Sequence, residues 1–255
     1  MNTFTRALRH RNFRLYFSGQ LVSLVGTWMQ QVAMSWLVYR LTGSVLLLGV
    51  TGFASQIPIL LLAPLGGVLS DRFNRHRLLV LSQTLAMLQA FLLAGLTLSG
   101  RVEVWHLILM AATLGLINAL DAPARHSLVV FLVDDRADMP NAIALNSLAI
   151  NSARLLGPAA AGLIVGYLSE GVCFLLNGFS YLAVLLALLK IRVDTPPPHR
   201  DHSLFGGIKA GIAYAASHRP IRVLLLLMAI LSLTVATYIV LMPYYARDVF
   251  HGDAK

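Results

Sequence analysis

Few residues in this chain are equipped to do chemistry, and most of them sit in or beside long apolar runs. Gly66-Gly-Val-Leu-Ser-Asp-Arg-Phe-Asn-Arg-His-Arg77 gathers an acid and several arginines at the end of one run. Glycine there lets helices approach closely, and an acid among arginines at a water boundary makes ionic contacts that can break and re-form. The same order also fits an ordinary charged turn. Arg154 stands near the middle of another run, where a charge at the bilayer centre costs about 3 kcal/mol or more. It must face a bundle interior or a wet cavity. Asn151 and Asn146 precede it by one and two helical turns, Gln20, Thr27 and Gln31 form a polar stripe on the first run, and Asn118 adds an amide on the fourth.

These residues are expected to line a central cavity, with Arg154 attracting an anionic or catechol-like group. The alternative is a structural arginine bonded to backbone carbonyls and the neighbouring amides. No acidic residue is expected deep within the first six runs, so no carboxylate that could carry a proton there is visible. His106 reads as an interfacial side chain rather than a relay. Trp28, Trp36 and Trp105 read as packing or interface anchors.

The elements that position these side chains follow from composition. Of 255 residues, 57% are hydrophobic and 12% are charged, against about 25% charged in a soluble domain. Seven charge-poor segments, roughly 15–39, 45–69, 78–99, 104–124, 140–168, 172–190 and 222–246, approach or exceed the length of about 20 residues that crosses a bilayer. Lipid offers the backbone no partners, and the runs lack the two-residue alternation of a barrel, so all are expected to be helices. The first run is too long for a signal-peptide core and is read as retained. Very short turns at Leu41-Thr-Gly-Ser44 and Ser169-Glu-Gly171 predict that consecutive helices pack as antiparallel neighbours.

Basic residues alternate between loops. Arg6, Arg9, Arg11, Arg14, Arg72, Arg75, Arg77, Arg125, Arg136, Lys190, Arg192, Arg200, Lys209, Arg219 and Arg222 fall on one side, and only Arg40, Arg101, Arg247 and Lys255 on the other. This bias places the N-terminus in the cytoplasm and accounts for most of the net charge of +9 without a nucleic-acid partner. The organisation read from these features is a six-helix bundle over 1–190, a linker over 191–221, and one further helix over 222–255. The linker opens at Thr195-Pro-Pro-Pro198 and then places Leu204, Phe205, Ile208 and Ile212 at the spacing of a short interfacial helix.

The segment from Gly66 to Arg77 resembles motif A of the major facilitator superfamily. Ser23-Leu-Val-Gly-Thr-Trp-Met-Gln-Gln-Val-Ala33, Leu41-Thr-Gly-Ser44, Pro123-Ala-Arg125 and Arg154-Leu-Leu-Gly-Pro-Ala-Ala-Ala-Gly162 are similar to its drug and siderophore exporter branch, which includes enterobactin exporters and macrolide efflux proteins. The likeness covers nearly the whole chain. It implies an all-α membrane protein, the N-terminal half of a twelve-helix fold plus a seventh helix.

By that resemblance Gly67 is the helix-packing glycine, and Asp71 holds an inner gate against the second half. Arg72 and Arg75 are the gate's basic residues, with Asp121 as a partner for Arg75. Asn74 replaces a common glycine and is expected to keep the turn, since asparagine tolerates the left-handed region. Gly157, Pro158 and Gly162 match an antiporter-like motif, although Ala161 departs from it. Routine tight packing, with Gly162 and Gly166 as a small-residue face, is the competing reading.

The implied function is export of drug-, macrolide- or siderophore-like amphipathic molecules by alternating access, with protons as the expected coupling ion and lipid as the surrounding partner. It requires the other half, and a truncated, non-transporting remnant or a half-transporter is the alternative. Localisation is expected in the bacterial inner membrane, multi-pass. No cofactor or metal is implied: the single Cys173 excludes a cysteine-based zinc site, and no G-x-x-x-x-G-K-[ST] loop is present. An intramembrane enzyme is the third class, but neither G-x-S-x-G nor H-E-x-x-H occurs.

Overall fold

A computed structural model of the chain describes residues 3–191, 193, 204–234 and 237–250. After a short 3-10 segment, Thr3–Arg9, six long helices follow: α1 (Arg11–Thr42), α2 (Val45–Arg72), α3 (Arg75–Leu98), α4 (Val104–Val129), α5 (Met139–Tyr167) and α6 (Glu170–Lys190). All six are long and apolar enough to cross a membrane. Three shorter helices come after them, α7 (Leu204–Ser217), α8 (Arg219–Thr234) and α9 (Thr237–Tyr244), and a π-helical turn, Tyr245–Val249, follows the last.

Each boundary has a local cause. Gly43 ends α1 in the left-handed region, at φ 59°, where its N–H reaches the Tyr39 carbonyl. Ser44 and Asn74 start α2 and α3 by accepting the N–H groups of Leu47 and Arg77. Asn74 does this in an extended conformation, so the expected left-handed geometry is replaced by an N-cap. His106 folds back to accept the Glu103 N–H at 3.0 Å, which closes the start of α4.

The expectation that consecutive helices pack as antiparallel neighbours holds for α3 and α4 and is corrected for most of the bundle. α1 packs chiefly on α6 and α5, α3 on α6 and α4, and α2 on α4, whereas α1 meets α2 only lightly. A tight turn joins helix ends but does not keep the axes together as they diverge. Lipid gives helices no hydrophobic reason to associate, so small residues and polar contacts hold the bundle. Asn177 of α6 donates to Gln30 of α1 at 2.8 Å, and Gln30 donates to Gln89 of α3 at 3.1 Å. This buried amide chain ties three helices at one level.

The segment expected to be a seventh span is described as α8 and α9, on either side of residues 235 and 236, which lie outside the described residues. The apolar side chains of α8 from Val223 to Leu231 are exposed. In the linker, Thr195 to Pro198 and the side chains of Leu204, Phe205, Ile208 and Ile212 lie outside the described residues.

Candidate functional site

Among the described residues an open cavity of about 310 Å³ lies between α1, α2, α4 and α5. Four predicted side chains line it: Thr27 and Gln31 from α1, Asn118 from α4 and Arg154 from α5. Arg154 lies fifteen residues after the first residue of α5 and thirteen before the last, about 22 and 20 Å along the axis at 1.5 Å per residue. Its guanidinium carbon sits 5.0 Å from the centre of the Trp28 ring, within the range of a cation–π contact.

Two predicted cavity residues are elsewhere. Gln20 is buried at 3% exposure, with no hydrogen-bond partner for its Oε1 among the described residues. Asn151 turns back to donate to the Ser147 carbonyl at 2.8 Å. The cavity gains side chains that sequence reasoning passed over: Trp28, Gln30 and Ser35 of α1, and Thr51, Ser55 and Gln56 of α2. Trp28 is therefore a wall of the cavity rather than an anchor at a water boundary. The polar residues of α2 were legible as hydroxyls and an amide inside an otherwise apolar run.

Close packing of α2 on α4 shapes the cavity's back wall. A β-carbon on Gly115 would lie 2.2 Å from the Ser55 carbonyl, and one on Gly66 would lie 2.0 Å from the Ala119 carbonyl. Gly67, the expected packing glycine, has nothing within 4 Å of such an atom. In α5, Gly157 is pressed against Trp28 and Val25 of α1, and Ala161, one turn on, is buried with it. Gly162 is only half-buried, and Pro158 sits within a helix that runs unbroken to Tyr167. The buried small-residue face is therefore Gly157 and Ala161, not Gly162 and Gly166.

At the end of the bundle that holds the N-terminus, Asp121 is 2% exposed and lies eight residues inside the end of α4. The expectation that the spans contain no deep acid fails here, because α4 continues to Val129 rather than stopping near 124. Asp121 pairs with Arg125, whose Nε lies 2.9 Å from Oδ2, and accepts from Ser82 and Gln83 at 2.7 Å each. The expected Arg75 partnership is thereby replaced. Arg75 donates to the Ser70 carbonyl at 3.3 Å and stands 5.1 Å over the Phe131 ring. Arg72 closes the last turn of α2, and the side chain of Asp71 lies outside the described residues.

The sequence matches the family model for transmembrane secretion effectors over residues 3–255. The chain belongs to that family of the major facilitator superfamily. The chain is 27% identical over 243 residues to the staphyloferrin A transporter of Staphylococcus aureus (strain NCTC 8325 / PS 47), covering 95% of this chain and 61% of that protein. Macrolide efflux protein A of Streptococcus pyogenes is 20% identical over 251 residues, covering 96% of this chain and 62% of the relative. The uncharacterized MFS-type transporter YfiS of Bacillus subtilis (strain 168) is 23% identical over 203 residues, covering 77% and 47%. The chain thus spans about half to three fifths of the length of these relatives. They are transporters rather than enzymes, and the chain is a multi-pass membrane protein of that transporter family.

One charged cluster of this chain was invisible in the sequence. Asp138, buried at the start of α5, receives Arg9 at 2.7 Å, the His10 Nε2 at 3.0 Å and Arg6 at 3.2 Å. His10 Nδ1 lies 3.1 Å from Asp134. The partners are more than 120 residues apart, so no local spacing announces them, and Arg6 and Arg9 read only as topological charge. Burial disfavours the charged His10 ring, but its hydrogen bonds to Asp138 and Asp134 outweigh that and raise its pKa above the ordinary value.

Proposed function

We propose that this chain supplies one wall of a secondary exporter that moves small amphipathic molecules across the bacterial inner membrane by alternating access, with the cavity as its half of the cargo site. The cavity carries the reading: at mid-length of otherwise apolar helices, it collects amides, hydroxyls and one arginine, a placement that costs free energy unless a ligand or water uses it. The cargo named by the relatives, staphyloferrin A and macrolides, supports a drug-, macrolide- or siderophore-like class. The exposed apolar side chains of α2 and α5, such as Phe53, Leu60, Leu155 and Leu163, are surfaces for lipid or for the second half of a full transporter.

Protons are the proposed coupling ion, and the N-terminus is proposed to be cytoplasmic from the arginine bias of the loops. On this reading Asp71, Arg72 and Arg75, supported by the Asp121–Arg125 pair, form the inner latch. Cells expressing the chain in its natural coding context, loaded with a fluorescent amphiphile, test it. Energised efflux that a protonophore abolishes supports the proposal, and accumulation equal to that of empty cells overturns it.

A further inference from the structure

Arg154 differs from the other deeply placed cation of the bundle. Arg125 is held by the Asp121 carboxylate, and where Arg9 and Arg40 leave the helices they are matched to Asp138 and Glu170. Arg154 makes no ion pair or hydrogen bond among the described residues, lines the cavity with an exposed side chain, and holds its guanidinium carbon over the Trp28 ring. No Asp or Glu is among the residues that line the cavity.

We propose that the cavity binds an anionic group, a carboxylate or phosphate carried on an apolar body, and that Arg154 is its receptor. The inference rests on the cavity being the cargo site. Guanidinium presents five donors in a plane, and the cation–π contact with Trp28 uses none of them in a hydrogen bond. A planar fork held over an aromatic ring is suited to bidentate capture of a carboxylate or phosphate. An unpaired positive charge at this depth repels a cationic ligand in a low dielectric and gains most from a counter-charge. Gln31 and Asn118 supply neutral donors and acceptors around it. At about 310 Å³ the space matches the lower end of ligand pockets. It takes the anionic end of the molecule, and the apolar body extends out of the mouth.

The same anion could come from cargo or from a lipid headgroup. The purified chain in phosphatidylcholine nanodiscs is titrated with carboxyfluorescein, an anionic xanthene dye, and with rhodamine 6G, a cationic dye of the same ring system, by fluorescence anisotropy. Carboxyfluorescein is expected to bind about tenfold more tightly or better, and Arg154→Gln to remove that preference while Arg154→Lys keeps part of it. If phosphatidylglycerol in the discs displaces carboxyfluorescein, the lipid headgroup is the natural anion. If it does not, a soluble cargo is. Equal binding of the two dyes, tighter binding of rhodamine 6G, or no carboxyfluorescein binding overturns the proposal. Because the comparison is made on the unmodified chain, misfolding of a variant cannot decide it, and the exporter reading is judged separately by efflux.

Discussion

Gly66 of α2 lies directly beneath the backbone carbonyl of Ala119 in α4, so near that a β-carbon on Gly66 would stand 2.0 Å from that oxygen. The neighbour is backbone and cannot swing aside, so a side chain there separates two helices that otherwise share their longest contact. Gly66→Ala is expected to destabilise the bundle by about 1–3 kcal/mol, seen as a lower melting temperature in detergent. Gly67→Ala, which meets nothing within 4 Å, should leave that temperature unchanged. Equal losses for the two would show that α2 is not seated on α4 as described.

Asp121 and Arg125 form the buried pair beneath the bundle. Removing one partner strands the other charge, at an expected cost of about 3–5 kcal/mol for Asp121→Asn, because Arg125 is enclosed and Ser82 and Gln83 lose their acceptor. Ser82→Ala, which removes one neutral donor and keeps the ion pair, should cost much less, about 1 kcal/mol. Urea or thermal unfolding of the two variants side by side checks this, and a larger loss for Ser82→Ala would show that the charge pair is not the main contact of Asp121.

His10 sets a pH dependence for the docking of Thr3–Arg9. Its folded pKa is raised above the ordinary value by Asp138 and Asp134, with Arg6, Arg9 and Asp135 also facing the cluster. A raised histidine pKa gives stability that is complete below the unfolded value of about 6.5 and is lost as pH climbs through the folded one. Limited proteolysis of the first residues should therefore quicken as pH rises from about 6 to about 8. His10→Gln should be cleaved at a rate that does not change across that window beyond the protease's own profile. A wild-type segment that tightens with rising pH would reverse the sign and contradict the account.

The spans were legible because lipid leaves a backbone no choice, so apolar runs such as 78–99 and 172–190 declare themselves within a few residues. What lay beyond reach was geometry across helices. The motif offered two adjacent glycines, and only the crossing of α2 over α4 decides that Gly66 rather than Gly67 is enclosed. A polar stripe marks a face, but Gln20 lies too far along α1 to reach the cavity that Thr27 and Gln31 line. Asp121 and Arg125 stand at the i, i+4 spacing of a helical pair, but the charges from Asp121 onward also mark an apolar run's end, and only the structure carries α4 on to Val129. The His10–Asp138 contact joins positions 128 apart, which one sequence cannot relate.

The most direct test of the central claim is transport through the cavity in proteoliposomes holding the chain in its natural coding context, under an imposed pH gradient. Carboxyfluorescein movement should follow the gradient, stop when the gradient is collapsed, and fall at least about tenfold when Gln31→Trp fills the cavity. Dye movement that ignores the gradient, or that survives Gln31→Trp unchanged in a folded protein, would contradict the assignment of this cavity as the path of an exporter.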